Sequence, residues 1–498
     1  MANGRVVQTA DRTIGSRQLA ALLPAEVLAR PGYRSLADAV RTLILDGRIA
    51  LHVRLPAERE LAEAVGASRA TVTGAYDLLR ESGYVRSRRG SGTWTELPDG
   101  HPPVGAHGLL CAAGTGGRTA DGAPVADLAI AAMGAPDGAL ADALAQVAPR
   151  LAGAARGHGY HPFGLPDLRA AVAERFTRRG LPTRPEQILI TAGAQQAFAL
   201  VVSLLCRAGD RVVTENPTYA NALDALRQAR LRTASIAVSD AGWDMEIAQS
   251  TLRQTAPRLA YVIPDFHNPT GALMPEGQRL ALLEATRRVG TWLVVDETIA
   301  DIALDVPAPP PLASLAPRGG ADHVLTIGSL SKTHWGGLRV GWIRATARTV
   351  AELTTVRVAA DMTGSVLDQL VALPLLDGLE RSLPDRLDVL RAQRAALVRA
   401  LERHTPEWSW QVPSGGLSLW VDLGEPVSSA LAERAAAAGV HIVRGARFGV
   451  DPGTFEHRLR IPYTLPAAAL ESAIHRLAAA FHDGVPLTPA VDRPHWVA

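Results

Sequence analysis

The longer part of the chain alternates between two kinds of pattern. From Val125 to about His482, short apolar runs that favour β-strands are followed by amphipathic segments of helical period. Because such a helix crosses over to the next strand of the same sheet, the alternation predicts an α/β domain with a mostly parallel sheet over residues 125–482. The Pro-rich tail, residues 483–498, is expected to be frayed.

A change of composition separates this domain from the start of the chain. Residues 98–124 are mostly Gly, Pro, Ala, Thr and Asp with almost no apolar periodicity, which predicts a flexible linker. Residues 33–97 are densely patterned, whereas residues 1–32 show no clear pattern and are interpreted as a leader. With 498 residues in all, the chain is predicted to be a multidomain protein.

Composition narrows the class of protein. Apolar residues make up 47% and charged residues 20% of the chain, which excludes disorder over most of its length. No apolar run is long enough for a membrane span or a signal peptide, so a cytoplasmic location is expected. Cys111 and Cys206 lack a CxxC spacing, which excludes a disulfide framework and a thiol-based zinc site, and no metal site is predicted.

Three helices and a hairpin are predicted in the front part, residues 33–97. The helical segments are Ser35–Asp46, Ala57–Val65 and Arg69–Ser82, and the short strands are Tyr84–Arg86 and Thr93–Thr95. Ser68 is a good N-cap for the third helix, and Gly66 makes the turn before it. A tight turn between the second and third helices, followed by a basic hairpin, predicts a winged helix-turn-helix.

The charge of this part fits double-stranded DNA. The third helix can enter a major groove with Arg69 and Thr71 near its N-terminus, and the arginines of the hairpin can follow a phosphate strand. Residues 1–97 contain 14 Arg and 10 Asp or Glu, a net charge of +4, which permits this role. The alternative is a small helical domain whose charges only form a solvated face.

The segment Leu55–Trp94 closely resembles the DNA-binding domain of GntR-family regulators. The resemblance implies which residues meet the DNA backbone and bases: Arg59, Arg69, Thr71 and Gly90, with Ser68 and Arg89 in support. Relatives often carry a polar or basic residue where this chain has Ala70, so their base preference is not carried over.

One residue count matters more than the others. Of the 51 Lys and Arg residues, only Lys332 is a lysine. Arg can replace lysine wherever a permanent cation suffices, but not where an amine must lose its proton and attack a carbonyl. Lys332 follows an apolar strand, Val324–Ile327, and lies between hydroxyl residues with Arg339 seven residues on. This setting suits a Schiff base beside a bound phosphate; the alternative is a surface lysine that survived drift.

Further segments supply parts that the same chemistry needs. Thr191–Gln196 follows a strand and opens a helix, where backbone amides hold phosphate. Glu215–Tyr219 places an aromatic ring after another strand, and Asn268–Gly271 offers an amide at a turn. Leu293–Asp296 ends an apolar strand in a carboxylate that could hold a pyridinium proton. Each segment alone is a weak signal, and their agreement with the lone lysine is specific.

Residues from about Val125 to Ala480 resemble the fold-type I pyridoxal-phosphate (PLP) enzymes of the aspartate aminotransferase superfamily. The resemblance implies that Lys332 forms a Schiff base with PLP and that Asp296 pairs with the ring nitrogen. The other implied roles are the phenolic oxygen for Asn268, ring stacking for Tyr219, phosphate for Ala194, Gln195, Ser329 and Arg339, the neighbouring subunit's phosphate for Tyr160, and a substrate carboxylate for Arg460.

Two positions depart from that family pattern. Relatives usually carry a tyrosine that touches the PLP phenolic oxygen where this chain has Thr298, and at least one relative has an effector-binding arginine at the position of Asn221. Both departures bear on which effector binds and on the pKa of the Schiff base.

A GntR-type domain joined by a long linker to an aminotransferase-like body resembles the MocR subfamily of bacterial regulators, over residues 33–97 and 125–480. The resemblance implies a homodimeric, PLP-binding transcriptional regulator, held at operator DNA in the bacterial cytoplasm, that senses PLP or an amino compound. A second hypothesis is a catalytically active PLP-dependent aminotransferase that carries a DNA-binding domain. A third is a dimerisation scaffold without cofactor, against which the solitary Lys332 argues.

Overall fold

The computed structural model describes residues 12–88, 92–98, 125–317 and 319–483. The chain divides into two compact units, the first within residues 1–106 and 451–457 and the second within residues 107–450 and 458–498. In the described parts of the chain, no helix combines the length and the apolar character needed to cross a membrane.

The first unit contains short helices and a small sheet. Its described helices are α1 Ser16–Leu22, α2 Ala25–Ala29, α3 Tyr33–Leu45, α4 Glu58–Val65 and α5 Arg69–Glu81. Its described strands are β1 Arg12–Thr13, β2 Val53–Arg54, β3 Val85–Arg88 and β4 Gly92–Thr95, in the sheet order β1-β2-β4-β3. The predicted winged helix-turn-helix is confirmed, since α3, α4 and α5 are followed by the antiparallel hairpin of β3 and β4.

The helices of this unit pack through the faces that the sequence period predicts. Leu36 and Ile44 of α3 and Val72 and Leu79 of α5 are buried, so one apolar stripe from each helix forms the core. Gly66 ends α4 in the left-handed conformation, with φ +67°, which gives the tight turn before α5.

Two short helices lie within residues 1–32, the predicted leader. Helices α1 and α2 lie there, and Leu19 and Leu22 are buried. The apolar period of α1 covers only seven residues, too few to stand out in the sequence. The predicted linker over 98–124 and the tail beyond Asp483 lie almost wholly outside the described residues, and those boundaries stay predictions.

The second unit alternates helices and strands. Its helices are α6 Ala139–Ala154, α7 Pro166–Arg178, α8 Ala194–Leu205, α9 Ala220–Gln228, α10 Met245–Thr255, α11 Glu276–Arg288, α12 Ala347–Ala360, α13 Val366–His404, α14 Ser428–Ala437 and α15 Ala467–His482. Its strands are β5 Ala126–Asp127, β6 Ile188–Thr191, β7 Arg211–Asn216, β8 Arg232–Ser239, β9 Gly242–Trp243, β10 Leu259–Val262, β11 Trp292–Asp296, β12 Val324–Ser329, β13 Gly341–Arg344, β14 Ser409–Trp410, β15 Ser418–Asp422, β16 Val440–His441, β17 Val443–Arg444 and β18 Arg458–Pro462.

An eight-stranded sheet forms the centre of this unit, in the order β6-β13-β12-β11-β10-β7-β8-β9. The pairs among β12, β11, β10, β7 and β8 are parallel, whereas β13 and β9 pair antiparallel with their neighbours. Helices cover both faces with separate apolar clusters, which explains why the central strands are apolar throughout. The predicted mostly parallel α/β domain is confirmed. A second, antiparallel sheet of β14, β15, β18 and β17 packs against α13, α14 and α15.

The strand directions decide where functional side chains can meet. Strands β7, β10, β11 and β12 run parallel, and β6 runs in the same direction because two antiparallel pairings separate it from β12. The carboxyl ends of all five strands therefore lie at one edge of the sheet, where ligands bind in open α/β folds.

Candidate functional site

Lys332 lies in a turn directly after β12, at the carboxyl edge of the sheet. Its partly buried ammonium donates to the Ala131 carbonyl oxygen at 3.0 Å. Burial lowers the pKa of Lys332 to about 8, and Arg460 lowers it as well, against the opposing effect of Asp296. Near neutral pH, a useful fraction of this amine is therefore uncharged and able to attack a carbonyl carbon.

Asp296 ends the neighbouring strand, β11, and two donors fix its carboxylate. The Thr298 backbone N–H donates to Oδ1 at 2.9 Å, and the Tyr261 hydroxyl donates to Oδ2 at 2.8 Å. Burial raises the pKa of Tyr261 well above its usual value, so its hydroxyl keeps its proton and remains a donor. Tyr261 was not predicted as a site residue, because only the pairing of β10 with β11 brings it to Asp296.

Residues predicted to bind phosphate meet at the start of α8. Gly193 precedes the helix with φ +84°, a conformation that favours glycine, and the backbone of Ala194 and Gln195 opens the helix. Arg339 reaches this point, since its Nη2 donates to the Ala192 carbonyl at 2.7 Å. An exposed guanidinium beside a helix N-terminus is chemically suited to bind an anion.

Ser329 is a predicted phosphate ligand, and in this structure its hydroxyl is hydrogen-bonded to backbone groups. The Ser329 hydroxyl donates to the Val340 carbonyl at 2.9 Å and accepts from the Ser331 N–H at 3.1 Å. Ser329 therefore ties β12 to the strand that follows the lysine turn.

Tyr219 precedes α9 at the end of β7, and Asn221 orients its ring. The Asn221 side-chain amide donates to the Tyr219 hydroxyl at 2.8 Å, and Gln195 Nε2 donates to the Asn221 carbonyl at 3.2 Å. Burial raises the pKa of Tyr219 to about 12, so the phenol is neutral. The side chain of Asn221 therefore contacts the predicted stacking ring, and its backbone carbonyl contacts the start of α8.

Arg460 is fully buried in β18. Its Nη1 lies 3.4 Å from Asn268 Oδ1, Nη2 donates to the Ala129 carbonyl, and its guanidinium carbon lies 5.1 Å from the Phe448 ring centroid. Burial lowers the pKa of Arg460 to about 10, and its Nε has no hydrogen-bond partner within the described part of the chain. A buried guanidinium with a spare N–H suits a ligand carboxylate.

Lys332 and Asn268 line one pocket, whose apolar walls include Phe266, Ile299 and Leu417. A buried network holds the turn before Asn268: Glu215 accepts from the Trp243 indole N–H and the Ile263 N–H, both at 2.8 Å. Glu215 was not predicted to take part in the site, although a carboxylate near the end of an apolar strand is a signal that the sequence contains.

Two predicted positions stand apart from this cluster. The Tyr160 side chain is 55% exposed and stacks on His158 with 5.9 Å between ring centroids. Its predicted role belongs to a second subunit and stays a prediction. Thr298 is buried, and its hydroxyl has no hydrogen-bond partner among the described residues, so it does not take over a tyrosine's contacts within them.

The residues predicted to bind DNA lie on the exposed side of the first unit. Arg59 and Arg69 are exposed, and Arg69 Nε lies 3.5 Å from Glu58 Oε2. Ser68 caps α5, since its hydroxyl accepts from the Thr71 N–H at 3.1 Å. The predicted residues Arg89 and Gly90 lie outside the described residues.

Two domains, a winged helix-turn-helix and an α/β domain that carries Lys332, are fused in one chain, and this combination defines the class of protein. Similarity to known proteins agrees with this assignment. The model of the family "Aminotransferase class I and II" matches residues 127–477, and that of "Bacterial regulatory proteins, gntR family" matches residues 32–94.

Individual relatives share one part or both. The uncharacterized HTH-type transcriptional regulator YisV of Bacillus subtilis is 28% identical over 78% of this chain and 84% of its own length. The probable rhizopine catabolism regulatory protein MocR of Rhizobium meliloti is 32% identical over 63% of this chain and 65% of its own. The crystal structure of LysN, the α-aminoadipate aminotransferase of Thermus thermophilus complexed with N-(5'-phosphopyridoxyl)-L-leucine, covers 72% of this chain and 92% of its own with TM-score 0.67 and 30% identity.

The chain belongs to the aminotransferase class I and II family and, with its GntR DNA-binding domain, is a regulator of the MocR type.

Proposed function

We propose that the second unit binds PLP through Lys332, senses an amino compound that carries a carboxylate, and thereby changes the affinity of the first unit for operator DNA. The observation that supports this most directly is the chain's solitary lysine, which lies at the carboxyl edge of the sheet with its pKa lowered to about 8. A lysine kept only for its charge would need neither feature.

The residues present fit PLP. The cofactor supplies an aldehyde for an amine to capture and a ring that draws electrons. Lys332 would provide the amine, and the carboxylate of Asp296, fixed by two donors, would hold the ring nitrogen. Asn268 would meet the phenolic oxygen and Tyr219 the ring face. The start of α8, with Arg339 beside it, would bind the phosphate as a dianion.

The effector we propose is an amine with a carboxylate. Arg460 is a buried cation whose Nε has no hydrogen-bond partner among the described residues, and it shares the site with Lys332. A carboxylate would neutralise this charge, and the amine of the same molecule would then lie on the side of the lysine. PLP itself, captured by Lys332, is the second ligand that could set the regulator's state.

Ligand binding alone does not regulate DNA binding. The effector must bind two states of the protein with different affinity, a difference worth typically about 1–3 kcal/mol. We propose that these are two arrangements of a homodimer whose paired winged domains read repeated half-sites, and that Tyr160 contributes to the neighbouring subunit's phosphate site.

A second candidate function is amino-acid transamination. One observation favours it: the amine of Lys332, the carboxylate of Asp296 and the guanidinium of Arg460 are all present in one site. A panel of amino acids with PLP-loaded protein and an excess of a 2-oxo acid, which accepts the amino group and regenerates PLP, would test it. Steady release of keto acid over many turnovers requires an enzyme, and a single equivalent does not.

The decisive experiment for PLP binding is borohydride reduction of the PLP-loaded protein followed by peptide mass spectrometry. Because the chain has one lysine, we expect one internal pyridoxyl adduct, on Lys332, and none in the Lys332→Arg variant. The Lys332→Arg protein should still bind operator DNA but should not respond to PLP. A wild-type protein without the adduct contradicts the proposal.

A further inference from the structure

Arg386 lies in the long helix α13, remote in sequence from every segment that the motifs single out. Arg386 is 6% exposed, and its guanidinium faces the turn that carries Lys332. Burial alone lowers the pKa of Arg386 to about 10, which leaves it charged at neutral pH. A buried cation is costly unless its N–H groups are well used.

Three backbone carbonyl oxygens accept from this one guanidinium. Nε donates to the Lys332 carbonyl at 3.3 Å, Nη2 to the His334 carbonyl at 3.0 Å, and Nη1 to the Gly134 carbonyl at 3.1 Å. The planar fork of arginine serves three acceptors in fixed directions, which a lysine ammonium cannot reproduce.

The first two of these carbonyls belong to the turn that carries the lysine. The turn's own backbone bonds run to Leu330, whose carbonyl accepts from the His334 N–H at 2.9 Å and the Trp335 N–H at 3.3 Å. Arg386 therefore holds the Lys332 and His334 carbonyls of this turn from a separate element, helix α13. The third carbonyl belongs to the stretch whose Ala131 accepts from the Lys332 ammonium, so Arg386 fixes both sides of the amine's surroundings.

We propose that Arg386 is a positioning residue for Lys332: by holding the carbonyls of Lys332, His334 and Gly134, it fixes the backbone from which the amine reaches its electrophile. This role rests on the proposed capture of PLP. Arg386 acts through the backbone and not through its field, because the charges that shift the pKa of Lys332 are Arg460, Asp296 and Arg339.

The test compares a ligand that needs the amine with one that does not. PLP is captured by Lys332, whereas pyridoxamine 5'-phosphate has no aldehyde and binds through its ring and phosphate alone. For Arg386→Met we expect the rate of PLP capture, followed by absorbance, to fall about 10- to 100-fold, as misplacement of a reacting group does. We expect the affinity for pyridoxamine 5'-phosphate to stay within about threefold, and the pH at which capture is half-maximal not to move.

Two further variants separate positioning from folding. Arg386→Lys keeps the cation and some donors, and we expect it to fold and to recover part of the lost rate. Arg476→Met is the control, because Arg476 on α15 also donates to three backbone carbonyls, those of Ser472, Ala438 and Gly439 at 3.4, 3.1 and 3.2 Å. Its capture rate should equal that of the wild type.

The possible contrary results are distinct. Equal capture rates in Arg386→Met and the wild type overturn the positioning role, and so does an equal loss of affinity for both ligands, which means a role in folding only. If Arg386→Met does not fold, an Arg386→Lys protein with wild-type capture overturns it. A wild-type protein that binds pyridoxamine 5'-phosphate but captures no PLP refutes the proposed function, and this role with it.

Discussion

The two units place their functional residues in different ways. In the first unit, Arg59, Ser68, Arg69 and Thr71 lie within thirteen consecutive positions, 59–71, on the outside of a small helical core. In the second unit, the candidate site takes side chains from the ends of five strands and from β18, spread over residues 194–460. A local site can be found from helical period and caps, whereas an assembled one depends on strand order, which the sequence does not display.

The largest expected effect concerns the assembled site, and it is a pH dependence. With its pKa lowered to about 8, roughly one Lys332 amine in ten is neutral at pH 7, against about three in ten thousand for an ordinary lysine. Capture of PLP should therefore rise about tenfold per pH unit below pH 8 and level off above it. Stopped-flow absorbance from pH 6 to 10 measures this; a rate that still rises steeply at pH 9.5 would contradict it.

The sequence predicted the parts of this site that end strands. Asp296 and Lys332 follow apolar runs, and those runs are the observed strands β11 and β12. The supporting residues were out of reach for a physical reason. Tyr261 and Arg386 act across elements that only the folded topology brings together, and in the sequence each belongs to an ordinary strand or helix.

In the first unit, by contrast, local sequence signals were enough to predict the main helices. The three predicted helices end within one or two residues of the observed ones, since caps and glycines mark their limits locally. Helices α1 and α2 were not predicted, because α1 has only seven residues and α2 only five, none of them buried in α2, so their apolar pattern is weaker than that of the main helices.

Arg460 gives the next largest effect and tests whether the assembled site reads a carboxylate. For Arg460→Met we expect the affinity for the best-binding amino acid of a panel to fall about 10- to 100-fold, the usual cost of losing a charge-assisted hydrogen bond. The affinity for the corresponding amine without a carboxylate should change little. Arg460 also lowers the pKa of Lys332, so its removal should shift the capture curve to higher pH. Titration calorimetry and the same absorbance assay measure the two effects, and equal losses for both ligands would remove Arg460 from carboxylate binding.

Arg69 provides the matching test of the local site. Its side chain is 74% exposed, so removal costs the first unit little stability. We expect Arg69→Ala to weaken operator binding by about 1–3 kcal/mol, or 5- to 150-fold, at fixed salt. Arg41→Ala is the control, because Arg41 is also exposed but lies on α3, where its Nη2 is 3.2 Å from Asp38 Oδ1. Equal binding by both variants would contradict the groove assignment.

Tyr261→Phe tests the assembled site of the second unit by removing a single hydroxyl. Asp296 would keep one of its two donors, and we expect the affinity for PLP to fall about tenfold, consistent with one hydrogen bond to a charged group. Tyr76→Phe is the matched control in the first unit, where the buried hydroxyl donates to the Pro56 carbonyl at 3.0 Å. It should lower the free energy of unfolding by about 1 kcal/mol and leave PLP affinity unchanged; PLP titration and thermal melts distinguish the two.

Ser68 carries the smallest effect, and it tests whether a residue predicted to support DNA contact acts only as a helix cap. Ser68→Ala removes the side-chain acceptor for the Thr71 N–H and should destabilise the first unit by about 1 kcal/mol. Ser68→Asp keeps an N-cap acceptor but adds a negative charge beside Arg69, so it should melt like the wild type and bind DNA more weakly, most clearly at low salt. If Ser68→Asp binds DNA as well as the wild type at low salt, the N-terminus of α5 does not face the phosphates, and the local site must lie elsewhere on the unit.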